Sequence, residues 1–281
     1  MNYKIYQAYY KEEQKKFLNP EFVSFDNTSN KRPDLMEYYI FNVGYKKAVS
    51  ERLSHWGFFS WKWEKKCRIK PQKFIDFIDK NPNQDVYIIN WTPYYESINW
   101  NIWTHGEFCH PGLFSVAVKC LKEMGYDSRI LYHIMPRNVL CFSSYFVASK
   151  KFWVEYLAFL KKFKNVIDNN QQLKQLIDQK TVHIDQSLIN TNHSFFPFII
   201  ERMFSTFLLL NYRQYSICNY SDNFKIYEKY VGDSYKDIER CSDLKMKIWK
   251  EMNNFNQDDY VKLWEQSKNK LINIKQMIPD C

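Results

Sequence analysis

One stretch constrains the fold more than any other. Pro71 opens a segment in which Phe74, Ile75, Phe77 and Ile78 recur on one helical face, and Asn81-Pro82-Asn83 ends it. Directly after comes Asp85-Val86-Tyr87-Ile88-Ile89-Asn90, polar at both ends and apolar along its middle. A strand of that kind has two faces to hide, as strands of parallel sheets do, so layers of helix must cover the sheet on both sides. Helix followed at once by buried strand is therefore the signature of an α/β fold.

The same alternation extends along the chain. Lys4 to Tyr9 is a short β-prone run that suits a first strand, and Phe25 to Pro33 is dense in turn formers and reads as a surface loop of the kind that carries binding residues. From Pro111, Leu113, Val116, Ala117, Cys120 and Leu121 recur at helical spacing, and Gly125 falls at the expected cap. Val139 to Val147 is strand-like, and Phe152, Trp153, Tyr156, Leu157 and Leu160 then mark an amphipathic helix. Beyond Asn211 there is little strand signal and much charge. With 281 residues the chain has room for one sizeable domain and an appendage, so the expected division is a catalytic domain over 1–212 and a helical extension over 213–281.

Composition narrows the function. Formal net charge is +9, which calls for an anionic partner, yet no block of basic residues occurs and lysines alternate with acids, so nucleic acid is not the expected partner. Aromatic residues make up 19% of the chain, suited both to an ordinary core and to pockets that stack on sugar rings or bases. The seven cysteines are widely spaced with no CxxC pair, which argues against a disulfide framework or a zinc finger. Met1 leads directly into a strand-like run with no secretory leader pattern, and the apolar stretch Phe195–Leu210 is broken by Glu201 and Arg202. The expectation is a cytoplasmic protein with a buried helix there, placed at the inner face of a membrane by its positive charge.

Phosphate-binding GxxxxGK[ST] and GxGxxG loops, HExxH and GxSxG are all missing. The richest window is Asp85 to His110, because ligands of open α/β sheets bind beyond the strand ends and this strand leads through Asn90 into a Trp-rich, Gly-poor loop that carries Trp91, Glu96, Trp103, Glu107 and His110. Flat apolar faces mixed with ionisable groups suit a saccharide, and transfer of a sugar from an activated donor would need a base for the acceptor hydroxyl and cations or donors for the departing diphosphate. Glu107 is the first candidate base, followed by His110 and Glu96, with Trp91 and Trp103 as sugar platforms. In His55–Trp63, Trp61 and Lys62 offer a platform and a phosphate contact, and Gly57 would admit close approach of a ligand. Glu201 and Arg202, set in an apolar helix, are costly there unless paired or aimed at a site.

Phe198-Ile199-Ile200-Glu201-Arg202-Met203-Phe204-Ser205-Thr206-Phe207-Leu208 resembles the "ERLFS" helix of bacterial GT-A-type glycosyltransferases that build capsule, lipopolysaccharide and O-antigen. Ser143-Ser144-Tyr145-Phe146-Val147-Ala148-Ser149-Lys150-Lys151-Phe152-Trp153 resembles their strand followed by an "FW" helix. The resemblance runs over roughly residues 1–212. It implies a GT-A-like, Rossmann-type mixed sheet flanked by helices, a nucleotide-sugar donor held near Tyr6, Ala8 and Asp26, and a saccharide or lipid-linked acceptor bound after Ser143, with Ser144 and Tyr145 in contact. The Asp-X-Asp that holds Mg or Mn in many such enzymes is absent where Asn90-Trp91-Thr92 stands, so the expectation is either metal-independent transfer, with Lys62 or Arg202 facing phosphate, or a divalent cation held by other acids. A non-catalytic carbohydrate-binding protein is the alternative.

Overall fold

The computed structural model describes residues 1–181, 193–220, 224–251 and 257–278. Strand β1 (Tyr3–Tyr9) is followed by β2 (Val23–Asp26), helix α1 (Met36–Ser50), β3 (His55–Ser60), the short α2 (Trp63–Cys67), α3 (Pro71–Lys80) and β4 (Val86–Ile89). Next come α4 (Pro93–Ile98), α5 (Ile102–Cys109), α6 (Leu113–Glu123), β5 (Phe146–Ser149), α7 (Lys150–Asn169) and α8 (Gln171–Asp178). A two-strand ribbon, β6 (Lys180–Thr181) with β7 (His193–Ser194), precedes α9 (Phe196–Asn211), β8 (Ile217–Tyr220), α10 (Glu228–Val231), α11 (Tyr235–Lys250) and α12 (Gln257–Ile272).

Among the described residues six strands form one mixed sheet in the order β2-β1-β3-β5-β4-β8. β1 is parallel to both β2 and β3, β4 is parallel to β8, and β5 runs against its two neighbours. Alternation along the strands sorts side chains to two layers. Tyr6, Trp56, Phe58, Ile88 and Phe146 face one core with α1, α6, α7 and α9, whereas Ile5, Phe59, Tyr87, Ile89 and Val147 face a second core with Trp63, Phe74 and Ile78 of α2 and α3. Both faces are covered, as the uninterrupted apolar run of β4 requires. The α/β reading of the chain therefore holds, and α3 and β4 lie where the sequence places them.

Three local expectations are corrected. The segment after Asn90 is two short helices and not a loop: Pro93 starts α4 at its first turn, and the Asn101 side chain caps α5 by accepting from the amides of Trp103 and Thr104. The strand expected over 139–147 is pairing-competent only from Phe146, because Ser143 and Ser144 adopt left-handed backbone (φ 57° and 54°) that no ladder can continue. Beyond Asn211 the chain is not helical throughout, since β8 adds an edge strand to β4 before α10–α12 gather a third core around Ile238, Cys241, Ile248, Trp264 and Leu271. This third core grips α4: Trp264 Nε1 donates to the Ser97 carbonyl at 2.8 Å and Tyr94 Oη to that of Leu271 at 3.2 Å.

Gly57 also has a different role from the one expected. A Cβ there would sit 2.3 Å from the Phe146 carbonyl oxygen, so the missing side chain admits the neighbouring strand and not a ligand. Phe195–Leu210 is buried helix, and among the described residues no helix is long and apolar enough to cross a membrane.

Candidate active site

From β1 the chain steps outward to β2, then returns through α1 across β1 to β3 on the other side. The direction of travel reverses at β1, and such a reversal opens a crevice beyond the carboxyl ends of the strands. A narrow cleft lies there, lined by Ala8 near the end of β1 and Tyr10 just after it, Phe58 and Ser60 of β3, Glu37 of α1, and Ser143. Because β5 is antiparallel, its beginning and not its end reaches this edge, which delivers the Ser143-Ser144-Tyr145 corner to the crevice.

That corner is strained and heavily braced. Two successive non-glycine residues in left-handed conformation cost on the order of 1–3 kcal/mol each and persist only where the surroundings over-determine them. Here the Ser143 amide donates to Glu201 Oε1 at 3.0 Å, and Ser143 Oγ accepts from Lys66 Nζ at 2.7 Å and from Trp91 Nε1 at 3.1 Å. Tyr145 Oη and Ser60 Oγ share a 2.6 Å hydrogen bond, and Asn90 Oδ1 accepts from the Phe142 amide at 3.2 Å. With two donors on its oxygen, the Ser143 hydroxyl still has its own proton to donate. The Ser144 hydroxyl is buried without a hydrogen-bond partner among the described residues.

The electrostatics of the corner set one group apart. Glu37, in the first turn of α1, has its carboxyl pushed up to about 7, first by loss of solvent and then by the nearby negative charge of Glu201, with Lys66 pulling the other way. Burial likewise raises the Tyr10 phenol, and Glu37 adds to it. Lys66 Nζ stands 5.0 Å from the centre of the Trp91 ring. A carboxyl that titrates near neutrality, a second carboxylate, an ammonium, an indole face and a hydroxyl donor therefore meet at one strand edge. Such a set can take a proton, steady a developing anion and stack on a ring.

The sequence-derived candidates divide sharply. Ala8, Trp91, Ser144, Tyr145 and Glu201 belong to this edge. Asp26, at the end of β2, is exposed, and its carboxyl is held below the usual range by the Thr28 amide and hydroxyl, at 2.9 and 2.8 Å. Trp61 and Lys62 follow β3, with Trp61 packed on Phe17 (ring centres 5.4 Å apart) and Lys62 over Trp61. Tyr6 points away into the α1-side core, its hydroxyl donating to Glu51 at 2.6 Å. Asn90 is buried and braces the loop before the corner, donating to the Leu140 carbonyl at 2.7 Å.

The proposed bases are the chief correction. Both oxygens of Glu107 accept backbone amides, from Gly112 at 2.8 Å and Phe114 at 2.7 Å, so the carboxylate holds the start of α6. Glu96 is fully buried and lies 3.5 Å from the equally buried Lys245 of α11, a structural ion pair. His110 is buried with its ring stacked on Phe198 (centres 3.6 Å apart). Trp103 is a core residue that donates to Thr206 Oγ1 at 3.0 Å. Arg202 does not face phosphate: it is buried, donates to the carbonyls of Ile102 and Phe198, and fills the space left by Gly106, where a Cβ would lie 2.3 Å from its Nε.

Glu37, Lys66, Tyr10 and Ser143 were not nominated from sequence. A signal existed for Glu37 alone, which follows the turn-rich 25–33 segment by one helical turn. Among the described residues no three His, Cys, Asp or Glu side chains converge as a metal site would need. A broader groove along α7 and α8 is lined by exposed side chains such as Lys161, Lys162 and Asn165, away from the strand edge. No protein-family model, curated protein or solved structure matches the chain.

Proposed function

We propose that the chain is a glycosyltransferase that moves a sugar from a nucleotide-sugar donor to a saccharide or lipid-linked saccharide acceptor in surface polysaccharide synthesis, working at the cytoplasmic face of a membrane. One observation carries the reading: the Glu37 carboxyl, poised near neutrality, lines the switch-point cleft beside Ser143, whose amide and hydroxyl are bonded by Glu201, Lys66 and Trp91. The mixed sheet adds support, because its parallel β2-β1-β3 part meets the corner that precedes β5, in line with a GT-A-like donor half joined to an acceptor half.

In this reading the acceptor hydroxyl oxygen attacks the anomeric carbon of the donor and its proton passes to the Glu37 carboxylate. The bond from that carbon to the diphosphate oxygen breaks, and its electron pair leaves with the diphosphate. Lys66 supplies positive charge to the departing group, and the Ser143 hydroxyl donates a hydrogen bond to it. Trp91 offers the flat apolar face on which a sugar ring stacks.

The test is incubation of the protein with a panel of nucleotide sugars, with Mg, Mn or a chelator present, and detection of free nucleotide. Release by the wild type and its loss in Glu37→Gln supports the proposal. No binding or turnover of any donor defeats it, and binding without turnover would favour the non-catalytic carbohydrate-binding alternative.

A further inference from the structure

Away from the cleft, the outer side of α5 and the end of α12 carry apolar side chains that the fold leaves uncovered. Phe108 is 59% exposed, Tyr132 62%, Ile272 55% and Met277 60%, values at which a large apolar group gains nothing from the core. They belong to one neighbourhood. Lys275 Nζ lies 5.2 Å from the Phe108 ring centre, three residues from Ile272 and two from Met277. On the other flank Phe114 packs edge-on against Tyr132 at 4.9 Å, and its amide donates to Glu107, the residue beside Phe108. The Tyr132 carbonyl in turn accepts from Trp100, whose ring packs on Trp264 of α12 at 5.4 Å.

The charge around this surface has one sign where it is uncommitted. Lys270 and Lys275 are exposed, Lys268 is paired with Glu265 at 2.5 Å, and the nearby Glu107 carboxylate is occupied by two backbone amides. Aromatic rings interleaved with lysines are what the boundary between lipid headgroups and acyl chains accepts: rings enter the apolar margin while ammonium groups stay with phosphate. A monomeric soluble surface seldom exposes such a cluster without a use for it. The net charge of +9 favours an anionic leaflet over a neutral one.

We propose that Phe108, Tyr132, Ile272 and Met277, flanked by Lys275, form the face by which this protein docks on an anionic lipid membrane. The surface stands on observations separate from the cleft, and a chain with no transferase activity would show the same behaviour.

The experiment is cosedimentation of the full chain with phosphatidylcholine vesicles, with and without about 30% phosphatidylglycerol. The wild type is compared with the Phe108→Ser/Tyr132→Ser double variant, Lys275→Glu and Glu37→Gln, each checked for folding by its circular-dichroism melt. The expected result is salt-sensitive binding to the anionic vesicles only, weakened about tenfold or more in the double variant and less in Lys275→Glu. Unchanged binding in the double variant, equal binding to neutral vesicles, or absence of binding overturns the proposal. So does a wild-type dimer that the double variant dissolves in light scattering, since the face would then serve self-association. Glu37→Gln should bind vesicles as the wild type does, so failure of the transfer reading and failure of this one are read on different variants.

Discussion

Two regions of this molecule bring acids together with aromatic rings. In the first, spanning α4 and α5, Glu96 faces the ammonium of Lys245 and Glu107 receives two backbone amides. In the second, at the ends of β1 and β3, Glu37 lies near Glu201, a charge of its own sign, with Lys66 as partial relief. Equal chemistry in one dimension thus becomes opposite chemistry in three. A carboxylate paired with a cation or with capping amides holds structure, and a carboxyl that is desolvated and repelled is left able to exchange a proton.

The sharpest way to test the structural side of that contrast is Lys245→Met, which leaves the buried Glu96 without its partner. A loss of about 3–5 kcal/mol is expected, read as a fall in the urea or thermal midpoint. A loss below about 1 kcal/mol would mean that Glu96 is not held as an ion pair.

Glu37→Gln tests the other side. Turnover should fall by about 100-fold or more, the typical contribution of a general base. The folded carboxyl holds its proton to about 7 against an ordinary 4.5, so the native state binds that proton more tightly than the unfolded chain does. Its stabilising contribution is complete below about 4.5 and is lost as pH climbs through about 7. Glu37→Gln should therefore melt higher than the wild type at pH 8 even as it loses activity. A variant both inactive and less stable at pH 8 would point to a structural role instead.

A milder effect is expected from Glu107→Ala, which removes the cap on α6. About 1 kcal/mol of stability should go, with turnover by the remaining folded protein within a few-fold of wild type. Abolished transfer in a well-folded Glu107→Ala would reverse the assignment of the two regions. Smallest is the effect of Glu201→Gln on the pH profile. Activity should rise with pH through about 7 as Glu37 ionises, and removal of the neighbouring charge should move that limb to lower pH.

Much of the scaffold was legible along the chain because its signals are local. Pro71 at a helix start, Asn81-Pro82-Asn83 at its end and the apolar run Val86–Ile89 act within a few residues of themselves, and they appear in the fold as α3 and β4. β8 was hidden because Ile217–Tyr220 is a short edge strand whose pairing depends on β4, far away in sequence. The site was only half legible. Trp91, Tyr145 and Glu201 stood out by type or setting, whereas Lys66 and Ser143 look like ordinary surface residues until they meet at a 2.7 Å hydrogen bond.

By itself, then, the order of residues determined that helices must sandwich a sheet, that Phe195–Leu210 must be buried, and that useful chemistry should gather beyond the strand ends. Which acid does that chemistry was decided only by tertiary structure. The proton affinity of a carboxyl depends on how much water it keeps and on the charges around it, and for Glu37 burial comes first, followed by the charges of Glu201 and Lys66, brought in from α9 and α2 by the folding of the whole sheet.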